Sequence, residues 1–213
     1  MTIQELIQAV EEATTPDSLV QAVRSLAATR DPKSIPTLID VLGYNNPGAA
    51  IAAVEGLTNI GTAAVQPILE KIDGYNYGAR AYSIRALAAI ADPAAFEVLL
   101  QAAATDFSPS VRRAAAKGMG RLHWEKMPPT GVSAAQSQAV GTLLELTQAE
   151  DWSIRYAAVV GLEGLARALG EELTSEQEAI RHRLQALYQQ DAEVAVRARA
   201  HQALQVAPAC LGT

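Results

Sequence analysis

The sequence predicts an all-α fold, a right-handed α-solenoid of stacked helix pairs, and three observations carry that expectation. Composition is the first: 49% of the 213 residues are hydrophobic and only 5% aromatic, alanine is abundant, and the alternating β-branched runs of strands are missing. The second is a ruler. A leucine-type anchor inside an Ala-rich helical pattern recurs at Leu26, Leu57, Leu87, Met119, Leu162 and Leu204, with spacings of 31, 30, 32, 43 and 42 residues. Such a period, built only from helical patterns, belongs to stacked helix pairs. The third is the order within each unit: an aliphatic helix, a polar turn with Asp, Asn or Pro, and a second helix opening on a small or β-branched residue.

Taken in order, Thr2 and Glu5 have capping-box spacing, and Ile3, Leu6, Ile7 and Val10 fall on one face of a short helix that Pro16 and Asp17 end. The expected first helices of the pairs are centred on 35–42, 65–72, 96–103, 140–146 and 180–187. Their second helices open at Ala49-Ala50, Ala79-Arg80, Val111-Arg112, Ile154-Arg155 and Val196-Arg197. Arg thus recurs at Arg80, Arg112, Arg155 and Arg197, preceded by turn acids Asp73, Asp106, Asp151 and Asp191, and a repeated Asp–Arg ladder along the stack is expected. Two insertions lengthen the later units. Pro128-Pro129 and Gly131 forbid a continuing helix, and Gly170 lies in the other, so surface loops are expected at 125–137 and 168–177. No composition break divides the chain. The expected organisation is one domain over 1–213, with N-terminal cap helices at 1–30, five helix pairs at 31–206 and a tail at 207–213.

The bulk numbers exclude several classes. A net charge of −6 and a pI near 5.1 argue against a general nucleic-acid binder, which presents a basic face to phosphates. The single cysteine, Cys210, permits no internal disulfide or Cys-based metal site and fits a reducing compartment. The start Met1-Thr2-Ile3-Gln4-Glu5 lacks a basic signal region, and no apolar run approaches about 18 residues. A cytoplasmic protein without membrane insertion is expected. His123, His182 and His201 lack ligand spacing, so no metal site is expected, and neither a Gly-rich phosphate loop nor a nucleophile elbow is present.

One corner concentrates unusual residues. Between 75 and 85 stand Tyr75, Tyr77, Tyr82, Arg80 and Arg85, in a chain with only six Tyr, two Trp and two Phe. A weaker form of the same corner runs Tyr44-Asn45-Asn46-Pro47-Gly48-Ala49-Ala50. Each reads as a turn opening into a helix.

Val-Arg-Arg-Ala-Ala at 111–115 and Ile-Arg-Tyr-Ala-Ala at 154–158 resemble the HEAT-like repeats of phycobilisome lyases, over nearly the whole chain. The two Tyr-Asn corners, with Asp106-Phe107 and Ser110-Val111-Arg112-Arg113, look like the F-type subunit of the heterodimeric lyase family of the phycocyanin α-chain. The resemblance implies an enzyme that, with an E-type partner, attaches phycocyanobilin through a thioether to a cysteine of the apo-phycocyanin α-subunit. An isomerising branch of the family carries a His–Cys pair at the corner matching Tyr75 through Arg80, and this chain has neither residue there. Attachment without isomerisation is therefore implied, with phycocyanobilin as substrate and no further cofactor.

The implied reaction needs a thiolate, supplied by the acceptor, and an acid to protonate the tetrapyrrole. A linear tetrapyrrole with two propionates also calls for Arg or Lys and for flat side chains. Asp73 and Tyr75 are the catalytic candidates; Tyr77, Tyr82, Arg85, Arg113, Lys117, Trp152 and Tyr156 are the substrate-binding candidates. Arg85 and Lys117 both stand two residues before an anchor, in successive repeats. Against each stands a structural reading: a solvated basic pair for Arg85 and Lys117, packing between turns for the aromatics, and a ladder for Arg80, Arg112, Arg155 and Arg197. The rival function is a non-catalytic interaction module that holds phycobiliproteins during assembly or degradation, and fold alone does not separate the two.

Overall fold

In the computed structural model of the chain, which describes residues 1–72, 76–169 and 173–206, every α-helix belongs to a sequential pair. The pairs are α1 (Ile3–Glu11) with α2 (Pro16–Ala28), α3 (Ile35–Val41) with α4 (Pro47–Ile60), and α5 (Val65–Lys71) with α6 (Tyr77–Ile90). Then come α7 (Phe96–Thr105) with α8 (Pro109–Met119), α9 (Pro129–Leu146) with α10 (Trp152–Ala168), and α11 (Thr174–Gln190) with α12 (Val194–Val206). No strand occurs among the described residues. The helices form two compact units, Met1–Ala95 and Phe96–Thr213.

Each unit is a two-layer stack. In the first, α4 packs between α2 and α6 while α3 packs against α5; in the second, α10 packs between α8 and α12 while α9 packs against α7 and α11. Second helices thus form one layer and first helices the other, the arrangement of an α-solenoid. The anchors Leu26, Leu57, Leu87, Met119 and Leu162 are fully buried where the layers meet. Leu204 is only half-buried.

Helix starts follow local chemistry. Thr2 and Glu5 form the expected capping box, with Thr2 N–H donating to Glu5 Oε2 at 2.8 Å. The two Tyr-Asn corners are N-caps: Asn46 Oδ1 accepts from Ala49 N–H and Asn76 Oδ1 from Ala79 N–H, each at 3.0 Å. Tyr77 is therefore the first residue of α6, two residues earlier than the turn composition suggests.

The expected loop at 125–137 is corrected. Pro129 opens the 18-residue helix α9, so 129–137 is helical. Proline breaks a helix interior but suits its first turn, where the missing N–H has no intrahelical partner anyway; Pro16, Pro47 and Pro109 open α2, α4 and α8 likewise. The second expected loop is also cut short, because α11 begins at Thr174; its residues 170–172, like the tail 207–213, lie outside the described residues. The longer period comes from longer helices: α9, α10 and α11 have 18, 17 and 17 residues, against seven in α3 and α5.

Pro47–Lys71, at a mean hydropathy of 1.2, passes the length and composition test for a membrane span, contrary to the reading that no apolar run is long enough. In the fold this segment is two helices, α4 and α5. Gly61 at φ 81° ends α4 and a 3-10 turn follows, so neither piece reaches the roughly 20 residues that a membrane requires.

Candidate functional site

The second-helix layer of the second unit brings four of the binding candidates together. Its geometry starts with glycine. A Cβ on Gly120 would collide with the carbonyl oxygen of Gly161, one on Gly161 with that of Ala116, and one on Gly164 with that of Gly120. Backbone therefore touches backbone where α8 meets α10, a separation only glycine permits. The side chains flanking this seam are drawn close as a result. Lys117 Nζ lies over the Tyr156 ring, 5.8 Å from its centroid. Arg113 Nη1 donates to Ser153 Oγ at 2.9 Å and stands 4.0 Å from Asp151 Oδ2. Trp152, the first residue of α10, remains 46% exposed beside them.

The electrostatics of this face are cationic. Burial holds the half-buried Lys117 ammonium below the usual lysine pKa, and the charges of Arg113, Arg121 and Arg199 push it the same way. The Asp151 carboxyl is held below the carboxylate range, mainly by hydrogen bonds from the Ser153 hydroxyl and N–H. Two residues beyond Gly161, the buried Glu163 accepts from both Arg167 and Arg199. Arg199 reaches it from α12, and its Nη1 is buried with no hydrogen-bond partner among the described residues. Sequence reasoning missed Arg121, Ser153, Glu163 and Arg199. The one available signal was an acid inside the apolar run Leu162-Glu163-Gly164-Leu165.

In the first unit the remaining candidates sit on α6. Arg80 lies over the Tyr77 ring at 5.2 Å and Arg85 over Tyr82 at 5.8 Å. Tyr77 is 60% exposed and Arg85 is exposed, whereas Tyr82 is half-buried. Asp73 and Tyr75, the catalytic candidates, lie outside the described residues.

The expected Asp–Arg ladder is corrected. Arg112 Nε donates to the Ala103 carbonyl at 3.0 Å, and Arg197 Nη1 to the Asp191 and Ala192 carbonyls at 2.6 and 3.0 Å. Arg155 Nη1 likewise serves the Ala149 and Glu150 carbonyls, both at 2.9 Å. Arg112 thus closes the C-terminal end of α7, whose last carbonyls lack helical partners, whereas Arg155 and Arg197 serve carbonyls of the turn that joins the two helices of their own pair. For Arg112, Arg155 and Arg197 a carboxylate partner is seen once among the described residues, and from the next pair: Arg155 binds Asp191, while Asp73, the acid expected for Arg80, lies outside the described residues. The acids Asp106, Asp151 and Asp191 each cap their own turn, accepting from Ser108, Ser153 and Glu193 N–H at 2.8, 2.8 and 2.9 Å.

Three grooves in the second unit are lined by neither Lys117, Arg121, Tyr156 nor Arg199. One of about 460 Å³ is lined by Arg112, Asp151 and Ile154, one of about 440 Å³ by Arg155, Arg183 and Asp191, and one of about 390 Å³ by Trp124, Met127 and Gln136. Among the described residues no three His, Cys, Asp or Glu side chains converge to hold a metal ion.

A sequence model of HEAT repeats matches residues 3–73 and 70–130. The chain is 55% identical to the phycocyanobilin lyase subunit beta of Nostoc sp. strain PCC 7120, over 92% of this chain and 95% of that protein. It is 53% identical to the phycocyanin alpha phycocyanobilin lyase CpcF of Synechocystis sp., over 78% of this chain and 77% of that one. Among solved structures it matches the complex of CpcE and CpcF of phycocyanin lyase from Nostoc sp. PCC 7120, at 55% identity and a TM-score of 0.75, over 81% of this chain and 99% of that one. By sequence and by fold, the chain belongs to the HEAT-repeat family of phycocyanobilin lyase beta subunits.

Proposed function

We propose that the chain is the beta-type subunit of a heterodimeric phycocyanobilin lyase, working with a CpcE-like, E-type partner on the apo-phycocyanin α-subunit. The observation that carries this reading is the 55% identity over 92% of the chain to a phycocyanobilin lyase subunit beta. The CpcE–CpcF complex, matched at a TM-score of 0.75, supports the heterodimer. The reaction is an addition. The acceptor cysteine loses its proton and its sulfur bonds the exocyclic carbon of the ring-A ethylidene. The π electrons take a proton at the neighbouring ring carbon, so no electrons leave the system and no redox cofactor is required. The chain itself needs to bind the bilin, exclude water and supply or relay that proton.

We assign bilin contacts to Tyr77, Tyr82 and Arg85 in the first unit and to Arg113, Lys117, Trp152 and Tyr156 in the second. Their pairing of flat rings with cations is what supports the assignment. Asp73 and Tyr75 are assigned the proton-handling role on the resemblance of their corner. Attachment proceeds without isomerisation, on the absence of His and Cys between Tyr75 and Arg80. A thiol acceptor requires a reducing compartment, which supports a cytoplasmic location.

The test is co-expression with a CpcE-type subunit, apo-phycocyanin α-subunit and a bilin supply, followed by zinc-enhanced fluorescence of the denatured α-chain. A covalently coloured α-chain, formed only with both subunits present, is expected. Co-purification with the α-chain but no colour would favour the non-catalytic interaction module.

A further inference from the structure

The charge arrangement on the second-helix layer of the second unit is one that packing alone does not explain. Arg113 and Lys117 are four residues apart along α8, one above the other on a single face, and Arg121 follows in the turn just past the end of that helix, close enough for its charge to act on Lys117. Like charges at that spacing oppose one another, and the half-buried Lys117 adds a desolvation cost. Arg199 from α12 adds a fourth cation whose field reaches Lys117. The acids nearby are already committed. Asp151 caps α10 through Ser153, and Glu163 is shared between Arg167 and Arg199. Among the described residues neither Lys117 nor Arg121 has a carboxylate partner, and the buried Nη1 of Arg199 has no acceptor. In a chain of net charge −6, a concentration of unneutralised cations beside Tyr156 and the exposed Trp152 is a site awaiting an anion with a flat body.

We propose that Lys117, Arg121 and Arg199 receive the two propionate carboxylates of the linear tetrapyrrole, and that Glu163 is a positioning residue that holds Arg199 towards them. This rests on the lyase reading and deepens it. The buried Glu163 grips the Arg199 guanidinium from one side, leaving its remaining N–H donors fixed in direction. Three cations, on α8, in the turn after it and on α12, suit two separate carboxylates better than a single compact anion, which backbone N–H groups at a helix start would serve. Tyr156, stacked on Lys117, offers a face to an adjoining pyrrole ring.

The experiment uses the purified heterodimer with apo-phycocyanin α-subunit and compares phycocyanobilin with its dimethyl ester, in which both propionates are neutral. Bilin binding to the heterodimer is followed by absorbance titration and transfer by covalent fluorescence. Wild type is expected to favour the diacid by tenfold or more, about what one charge-assisted hydrogen bond supplies. Lys117→Gln, Arg121→Gln and Arg199→Gln should each erode that preference, raising the concentration of diacid required while leaving the saturated rate and the ester unchanged. Glu163→Gln should act like Arg199→Gln, and Lys126→Gln, at an exposed site elsewhere, should change nothing. Should the Arg199 variants fail to fold, Lys117→Gln and Arg121→Gln decide the matter. An undiminished diacid preference in these variants, or equal losses for diacid and ester, would overturn the proposal in favour of a packing or partner-docking role. If the wild-type pair colours no α-chain the lyase reading fails, and the titration alone then decides whether this face binds the diacid.

Discussion

Arg155, in the first turn of α10, and Asp191, at the end of α11, are joined by two parallel bonds, Nε to Oδ2 at 2.8 Å and Nη2 to Oδ1 at 2.9 Å. The residues are 36 apart in sequence, and the pair ties one helix pair to the turn of the next. The Asp191 side chain is 4% exposed and that of Arg155 14%, so their charged groups are largely shielded from water. Removing one partner strands the other, and Asp191→Asn is expected to lower stability by roughly 3 kcal/mol at neutral pH.

The same pair predicts a pH dependence. The Arg155 hydrogen bonds hold the Asp191 carboxyl below its ordinary value. A depressed folded-state pKa gives stability that is complete above the unfolded-state value, about 3.9, and is lost as pH falls through the folded one. The Tm gap between wild type and Asp191→Asn should therefore be constant from pH 7 to 5 and shrink below about 4. A gap that persists unchanged in acid would show that packing, and not the ion pair, carries the stabilisation.

Close backbone approach at the α8–α10 seam makes Gly164 a sharp test of how the cationic face is built. A methyl group there meets the Gly120 carbonyl, which belongs to rigid backbone and cannot swing aside. Gly164→Ala should cost roughly 1–3 kcal/mol, with the helices forced apart. Because Lys117 and Tyr156 flank the same seam, bilin affinity should fall with it. A stability equal to wild type in chemical denaturation would mean that the helices do not approach so closely in solution.

The pairs and their anchors were legible because burial against a second layer imposes a helical period that composition does not blur; Leu26 through Leu162 are all fully buried. The turn at Asn76 was legible for a different reason, since Asn before a helix has a specific bond to make. Pro128-Pro129 misled because proline's effect depends on where the helix starts, which local sequence leaves open. The arginine repeat was visible, but a sequence displays charges and not their acceptors, and most of the acceptors turned out to be carbonyls of the turn between the paired helices. Glu163 carries only the signal of an acid in an apolar run, and nothing local marks Arg199 as its partner. They are 36 residues apart, and only the stacking of α12 on α10 joins them.

Lys117 predicts a conflict between stability and function. Its ammonium is opposed by burial and by Arg113, Arg121 and Arg199, so its charge works against the fold at neutral pH. Lys117→Met keeps an unbranched apolar side chain beside the Tyr156 ring and removes the charge. It should leave the protein as stable or more stable, by about 0.2–0.5 kcal/mol for each like-charge neighbour relieved, while weakening chromophore transfer with the partner present. A variant that loses stability and transfer in proportion would make Lys117 a structural residue.

The last prediction separates binding arginines from structural ones. Arg112 closes the end of α7 through the Ala103 carbonyl, and its loss leaves a half-buried acceptor unpaired. Arg112→Ala should therefore lower stability by about 1 kcal/mol while largely sparing the yield of coloured α-chain in folded protein. Arg85 is exposed on α6, with the Tyr82 ring beneath it. An exposed residue of this kind contributes little to the fold, so Arg85→Ala should move the thermal midpoint hardly at all. The role assigned to Arg85 is to stack its guanidinium on a bilin ring, a contact worth about 0.5–2 kcal/mol, so transfer at limiting bilin should fall roughly 2- to 30-fold. Both quantities are measured on the same preparations, thermal midpoint by circular dichroism and chromophore yield on the α-chain. Full transfer by Arg85→Ala would remove it from the site and leave the Tyr82–Arg85 contact as part of the helix surface.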